Sequence, residues 1–269
     1  MGQPAAQESG PAFPRAADRS SPPAFDRMGL SRYPKKKAVR RAYDLFENPK
    51  GRVFGAPNRF VARVELGGQV ETCHVKNTGR CKELLLPGAE VYLEESANPA
   101  RKTKYDLVAV QKGARLINMD SQAPNRVVEE WLRGGGLVEN LTVLRPECRY
   151  RHSRFDFYLQ ADGRGAFVEV KGVTLEEGNE AFFPDAPTQR GVKHIEELCA
   201  CRKDGYDAYL VFVIQMAGVG CLRPNDRTHK AFGDALRIAQ REGVRLVAMD
   251  CLVTPDTLQI HEEVPIQLR

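Results

Sequence analysis

Hydrophobic and polar positions divide the chain into three stretches with different periods. Positions 1–41 show neither the 3.6-residue spacing of a helix nor the alternation of a strand. Pro, Ala, Ser, Gly and Arg dominate there, which predicts disorder. Between 51 and 113, short alternating runs at 52–54, 60–66, 69–75, 90–94 and 105–111 predict strands. Gly67-Gly68 reads as a tight hairpin turn, and Leu84-Leu85-Leu86-Pro87-Gly88 breaks the series. So dense a set of short strands predicts a small β-barrel, with an OB-like fold as one candidate.

From about 118 onward helical and strand patterns mix. Helices are predicted at 124–133, 188–202 and 226–242, the last stopped by Gly243. Strands are predicted at 155–160, 166–173, 208–215 and 244–250. This succession predicts an α/β (α+β) domain with a mixed sheet. The expected division is a basic extension at 1–49, a barrel at 50–117 and the α/β domain at 118–269.

Composition narrows the class. The chain has 269 residues, 42% hydrophobic and 28% charged, which is globular and long enough for about two domains. No apolar run approaches the ~18 residues of a membrane span; the most apolar stretch, 208–220, is too short. The N-terminus lacks the apolar segment of a secretory signal. Seven cysteines, at 73, 81, 148, 199, 201, 221 and 251, are odd in number and scattered, with no Cys-x-x-Cys pair. That argues against a disulfide scaffold or structural zinc, and for reduced thiols in a cytoplasmic protein. The net charge of +5 permits a polyanionic partner. The run Lys35-Lys36-Lys37 with Arg40 and Arg41 reads as a solvated basic tail, and Met28 is a possible second start.

The candidate chemistry lies in the segment from Arg154 to Lys171. Two predicted strands flank Asp162-Gly163, so the simplest structure is a β-hairpin. A two-residue loop sets Asp156 opposite Glu169; a four-residue loop, 162–165, sets it opposite Lys171. Either register puts Asp156, Glu169 and Lys171 on one face. Two carboxylates about 5 Å apart on a partly buried surface repel unless a positive charge lies between them. A hard cation, Mg²⁺ or Mn²⁺, satisfies such a pair and prepares a phosphoryl group for attack by water. Lys171 would orient that water or stabilise developing negative charge. Glu130, on the predicted helix, is a further candidate acid. The helix after 183–187 is expected to turn Val192, Ile195, Leu198 and Cys199 inward. Arg190, Lys193, His194 and Glu197 are expected on its outer side, suited to phosphates. The barrel segment carries Arg59, Arg63, Lys76, Arg80, Lys82, Arg101, Lys102 and Lys104, a surface able to track a nucleic-acid backbone. Asn77-Thr78-Gly79-Arg80 reads as a turn presenting N–H groups and a guanidinium.

These residues resemble a known family. Asn58-Arg59-Phe60, His74-Val75-Lys76-Asn77-Thr78-Gly79-Arg80, Arg101-Lys102-Thr103, Pro124-Asn125-Arg126, Arg154-Phe155-Asp156 and the segments 168–175 and 183–194 look like the sugar fermentation stimulation protein family, SfsA. The resemblance runs in family order from about Gly51 to the C-terminus. It implies an OB-like domain followed by a PD-(D/E)XK nuclease-like domain, DNA binding, and a role in regulating sugar (notably maltose) use. It also implies metal and catalytic positions at Asp156, Glu169 and Lys171, the helix acid at Glu130, and polar helix positions at Lys193 and His194. Two readings follow: a divalent-metal-dependent nuclease that binds DNA at Arg59, Lys76, Asn77, Arg80, Lys82, Arg101, Lys102, Arg190, Lys193 and His194, or a non-catalytic DNA-binding regulator on a nuclease-like fold.

Overall fold

The structure is a computed structural model that describes residues 48–77 and 79–269. The extension expected to be disordered, with its basic run and Met28, precedes position 48 and lies outside the described residues.

The alternating runs become β1 (Lys50–Asn58), β2 (Val61–Leu66), β3 (Gln69–Val75), β4 (Glu90–Glu95), β5 (Tyr105–Lys112) and β6 (Arg115–Asn118). They pair in the order β3-β2-β1-β4-β5-β6, and β3 also pairs with β5. That extra pairing closes β1, β2, β3, β5 and β4 into a five-stranded OB barrel. Alternation explains the interior: Val53, Ala62, Val64, Cys73, Val75, Val91, Leu93 and Leu107 point inward and are buried. β6, beyond the ring, carries the chain toward the second domain.

There α1 (Ala123–Arg133) precedes β7 (Leu141–Tyr150), β8 (Ser153–Ala161) and β9 (Arg164–Val173). After β10 (Leu175–Glu177) and β11 (Glu180–Phe183) come α2 (Gln189–Lys203), β12 (Asp207–Ile214), β13 (Cys221–Pro224), α3 (Asp226–Arg241), β14 (Arg245–Val253) and β15 (Leu258–Glu263). The main sheet runs β15-β14-β12-β9-β8-β7. It is mixed, because β12 lies parallel to both β9 and β14 while the other pairs are antiparallel. α1 buries Val127, Val128 and Leu132 with Phe157, Leu159, Val168 and Val170. On the other face α2 and α3 bury Ile195, Leu198, Phe232 and Leu236 with Phe155, Phe167 and Phe212. Helices on both faces are what a central sheet of nearly continuous apolar strands requires.

Several elements escape the sequence pattern. β7 contains Pro146, which demotes a run to an edge strand, and β7 is indeed at the sheet edge. β10, β11 and β13 are three or four residues long, too short to show a period.

Polar contacts fix one domain against the other. Glu176, only 6% exposed, receives Lys112 Nζ at 2.8 Å and Arg115 Nη1 at 3.1 Å, both from the barrel side. Gln215 donates to Asn118 and to the Asp120 carbonyl, and Arg80 N–H donates to Asp185 at 2.8 Å. Glu176→Ala would strand two cations in a low-dielectric junction. It is expected to cost about 2–3 kcal/mol in urea unfolding. An unchanged unfolding midpoint would show that this contact does not hold the domains together.

Candidate active site

Asp162-Gly163 is a two-residue loop in which both residues have positive φ, 50° and 74°. That conformation suits Asp-Gly and the right-handed twist of the flanking strands. It pairs Ala161 with Arg164 and fixes the register that aims Asp156 at Glu169. The ladder stops one step short, however, at Phe157 and Val168, while β8 stays paired with β7 through Phe155 and Arg154. Where β8 and β9 part, Asp156 Oδ2 accepts the Val170 N–H at 2.7 Å, taking the place of a strand partner. The alternation slips as well. Counting back from Phe157 would send Phe155 toward α1, yet its ring lies 5.5 Å from Phe167 in the cluster under α2. The expectation of one continuous shared face is therefore corrected. Asp156 meets Glu169 through a splay between strands, not across a ladder pair.

Glu169 is the buried member, 3% exposed. Its Oε1 receives Lys171 Nζ at 2.5 Å and His194 Nδ1 from α2. Its Oε2 is buried and has no hydrogen-bond partner. His194 was expected on the outer side of its helix, but it is buried and faces the sheet. The inner stripe of α2 is Gly191, His194, Ile195 and Leu198, a helical spacing that includes the histidine. Judging the face by polarity alone is what hides it. Arg190 Nε donates to His194 Nε2 at 3.3 Å, so the proton given to Glu169 sits on Nδ1. His194 thus positions a carboxylate, and Arg190 orients His194. Lys193 is exposed and donates to the His152 carbonyl.

From the opposite face, α1 supplies Asn125, whose Nδ2 donates to Asp156 Oδ1 at 2.7 Å. Gly172 allows this approach, since a Cβ there would come within 2.8 Å of Pro124 Cγ and 2.6 Å of Gln215 Oε1. Glu130, the acid expected from this helix, is placed differently from Asn125. It lies five residues beyond Asn125, about 140° around the helix. Among the described residues no three His, Cys, Asp or Glu side chains form a group able to hold a metal. Asn125 is the helix residue that sequence reasoning missed. Only its place beside Pro124, in the first turn over the splay, could have pointed to it.

The charges set opposite proton affinities. Burial, with the Glu169 charge behind it, pushes the Asp156 carboxyl above its ordinary range against the bonds from Val170 and Asn125. Burial also raises Glu169, but His194 and Lys171 outweigh it and hold that carboxyl below its usual range. Two carboxylates against one ammonium leave a net negative pocket with one unpartnered oxygen, Glu169 Oε2. A hard dication plus waters fits that donor set.

The barrel residues divide into two groups. Lys76 is tied to Glu94 and Asp120, Arg101 to Asp106, and Asn77 to the Met119 carbonyl and Gly79 N–H. Arg80, Lys82 and Lys102 are exposed, and Arg59 stacks 4.5 Å over the Phe60 ring. The Gly79 N–H donates to Asn77 Oδ1 and the Arg80 N–H to Asp185.

Comparison with known proteins follows the same division. Residues 56–119 match the family model of the SfsA N-terminal OB domain, and residues 122–257 match that of the sugar fermentation stimulation protein RE domain. A sugar fermentation stimulation protein homolog from Ruminiclostridium cellulolyticum is 54% identical over 224 residues, covering 83% of this chain and 99% of that protein. One from Clostridium beijerinckii is 54% identical over 219 residues, covering 81% of this chain and 97% of that protein. The solved structure of Pyrococcus furiosus SfsA in complex with Ca²⁺ is similar with a TM-score of 0.74 at 25% identity, covering 85% of this chain and all of that one.

A carboxyl raised in the folded state loses folding free energy when it ionises, so charged Asp156 destabilises the protein above the ordinary carboxylate range. Glu169 has the opposite sign: its contribution is present above that range and is lost as pH falls through its lowered value. Asp156→Asn removes the repulsion but turns an amide N–H toward one of the two donors, Val170 N–H or Asn125 Nδ2, so its Tm relative to wild type is expected to be more favourable at pH 7 than in acid. A Tm difference that does not change with pH, or that favours the variant more in acid, would contradict the electrostatic account.

Proposed function

The chain belongs to the sugar fermentation stimulation protein family, and from that premise we propose that it is a DNA-binding, divalent-metal-dependent phosphodiesterase on a PD-(D/E)XK-like domain. The observation that carries this reading is the half-buried Asp156 beside the buried Glu169, with Glu169 Oε2 left unpartnered. A fold selected only for stability, or a surface selected only to bind phosphates, gains nothing from two carboxylates that repel each other and the ligand. The Ca²⁺ held by the Pyrococcus furiosus relative supports a hard cation as the missing charge.

In this reading Asp156 and Glu169 hold Mg²⁺ or Mn²⁺, which supplies charge withdrawal from the phosphoryl group and a more acidic water. Lys171, 2.5 Å from Glu169, would orient the attacking water and offset the negative charge that grows on the phosphoryl oxygens. His194 keeps Glu169 in place from α2, and Asn125 keeps Asp156 in place from α1. Arg80, Lys82, Lys102 and Arg59 offer exposed positive charge to the strand backbone. A cytoplasmic setting suits the seven free thiols of the described residues, and DNA is the route by which the protein would influence sugar use.

A second reading is a DNA-binding regulator without turnover. It draws on the Lys171 ammonium being engaged with Glu169 at 2.5 Å and on the lack, among the described residues, of a three-ligand metal group. Incubating the purified protein with single- and double-stranded DNA, in Mg²⁺, Mn²⁺ or chelator, separates the two. The nuclease reading expects metal-dependent cleavage that falls at least about a hundredfold in Asp156→Ala while DNA affinity is kept. Equal behaviour of wild type and Asp156→Ala in every assay would contradict it and favour the regulator.

A further inference from the structure

A second concave site lies where the barrel meets the start of α1. Phe60, His74, Lys76, Arg101, Asp106 and Gln122 are among its lining residues, around a cleft of about 270 Å³. It was not assembled for stability alone. Phe60 is a large apolar ring left 44% exposed, with the Arg59 guanidinium 4.5 Å over it. Deeper in the cleft, Asp106 is 5% exposed and gathers nitrogen donors. Arg101 donates to both of its oxygens, at 2.6 and 2.9 Å, and His74 Nδ1 lies 2.9 Å from Oδ1. Lys76 Nζ stands 3.9 Å from Oδ2. One buried carboxylate therefore fixes nitrogen donors in place beside an exposed aromatic ring.

We infer that this cleft holds one unpaired nucleotide of the substrate strand, its base stacked on the side of Phe60 that Arg59 leaves open and its phosphate toward the Arg59 guanidinium. The cleft is slightly smaller than the roughly 300 Å³ at which pockets for drug-sized ligands begin, so it suits one flat ring system, which a strand offers only where a base is unpaired. Phe60 supplies a stacking platform that tolerates any base, and the exposed Arg59 guanidinium beside it supplies the charge for a phosphate, since Lys76 and Arg101 are already matched by Glu94, Asp106 and Asp120. Its position ties it to the carboxylate pair. Gln122 is the N-cap of α1, and Asn125, three residues on, holds Asp156. One rim of the cleft and the residue that holds Asp156 therefore belong to the first turn of the same helix.

The inference rests on the nucleic-acid reading above and sharpens it to strands with an unpaired base. The test is fluorescence anisotropy in chelator, with three labelled DNA probes: a single strand, a perfect duplex of the same length, and that duplex with one extra unpaired nucleotide. Wild type is expected to bind the single strand and the bulged duplex more tightly than the perfect duplex. Phe60→Ala should weaken the first two by about tenfold and leave the perfect duplex unchanged. Phe60→Trp should restore them, which excludes a folding defect as the cause. If all three probes bind wild type equally and Phe60→Ala changes none of them, the cleft inference is overturned while DNA binding stands. If wild type binds no probe, both readings fall.

Discussion

Two like charges kept together against their repulsion organise this protein. Asp156 and Glu169 meet where β8 leaves β9, one of them buried and the other half-buried, and each is held by donors from a different layer. The sheet gives Val170 N–H and Lys171, α1 gives Asn125, and α2 gives His194 backed by Arg190. Remove the splay and Asp156 loses Val170 N–H to the ladder. Remove the helices and neither carboxylate has a fixed direction.

The surrounding architecture follows from that need. A sheet covered on both faces lets helices approach one spot from two sides, and Gly172 removes the one Cβ that would hold α1 away. The barrel is fixed by Glu176, Gln215 and Asp185 rather than tethered loosely. Its cationic face and the first turn of α1 therefore keep a constant relation to the carboxylates. Positioning of this kind is what phosphoryl chemistry asks of a protein, because most of the catalysis lies in orientation and charge.

Much of this was legible in the sequence, for identifiable reasons. The barrel strands alternate clearly, and the Asp-Gly turn leaves two registers of the same parity, so Asp156, Glu169 and Lys171 could be brought together without choosing between them. The splay could not be read, since it depends on where β8 chooses β7 over β9. β7 was hidden by Pro146, and Asn125 by the tertiary contact at Gly172 that gives it a role. His194 was misdirected because a polar residue on an apolar stripe reads as exposed, whereas here burial is balanced by Glu169. Glu130 was expected as an acid on a helix over the sheet, and it is Asn125, about 140° away around that helix, that reaches Asp156. Lys76, Asn77 and Arg101 were read as a free basic surface, but the structure pairs them internally.

The central claim is that the pair exists to hold a divalent cation, and direct metal titration reaches it without assuming a substrate. Calorimetric titration of Mn²⁺ into the full chain should show a saturable site in wild type. Its affinity should fall at least about tenfold in both Asp156→Asn and Glu169→Gln. No binding to wild type, or binding that neither substitution weakens, would contradict the account.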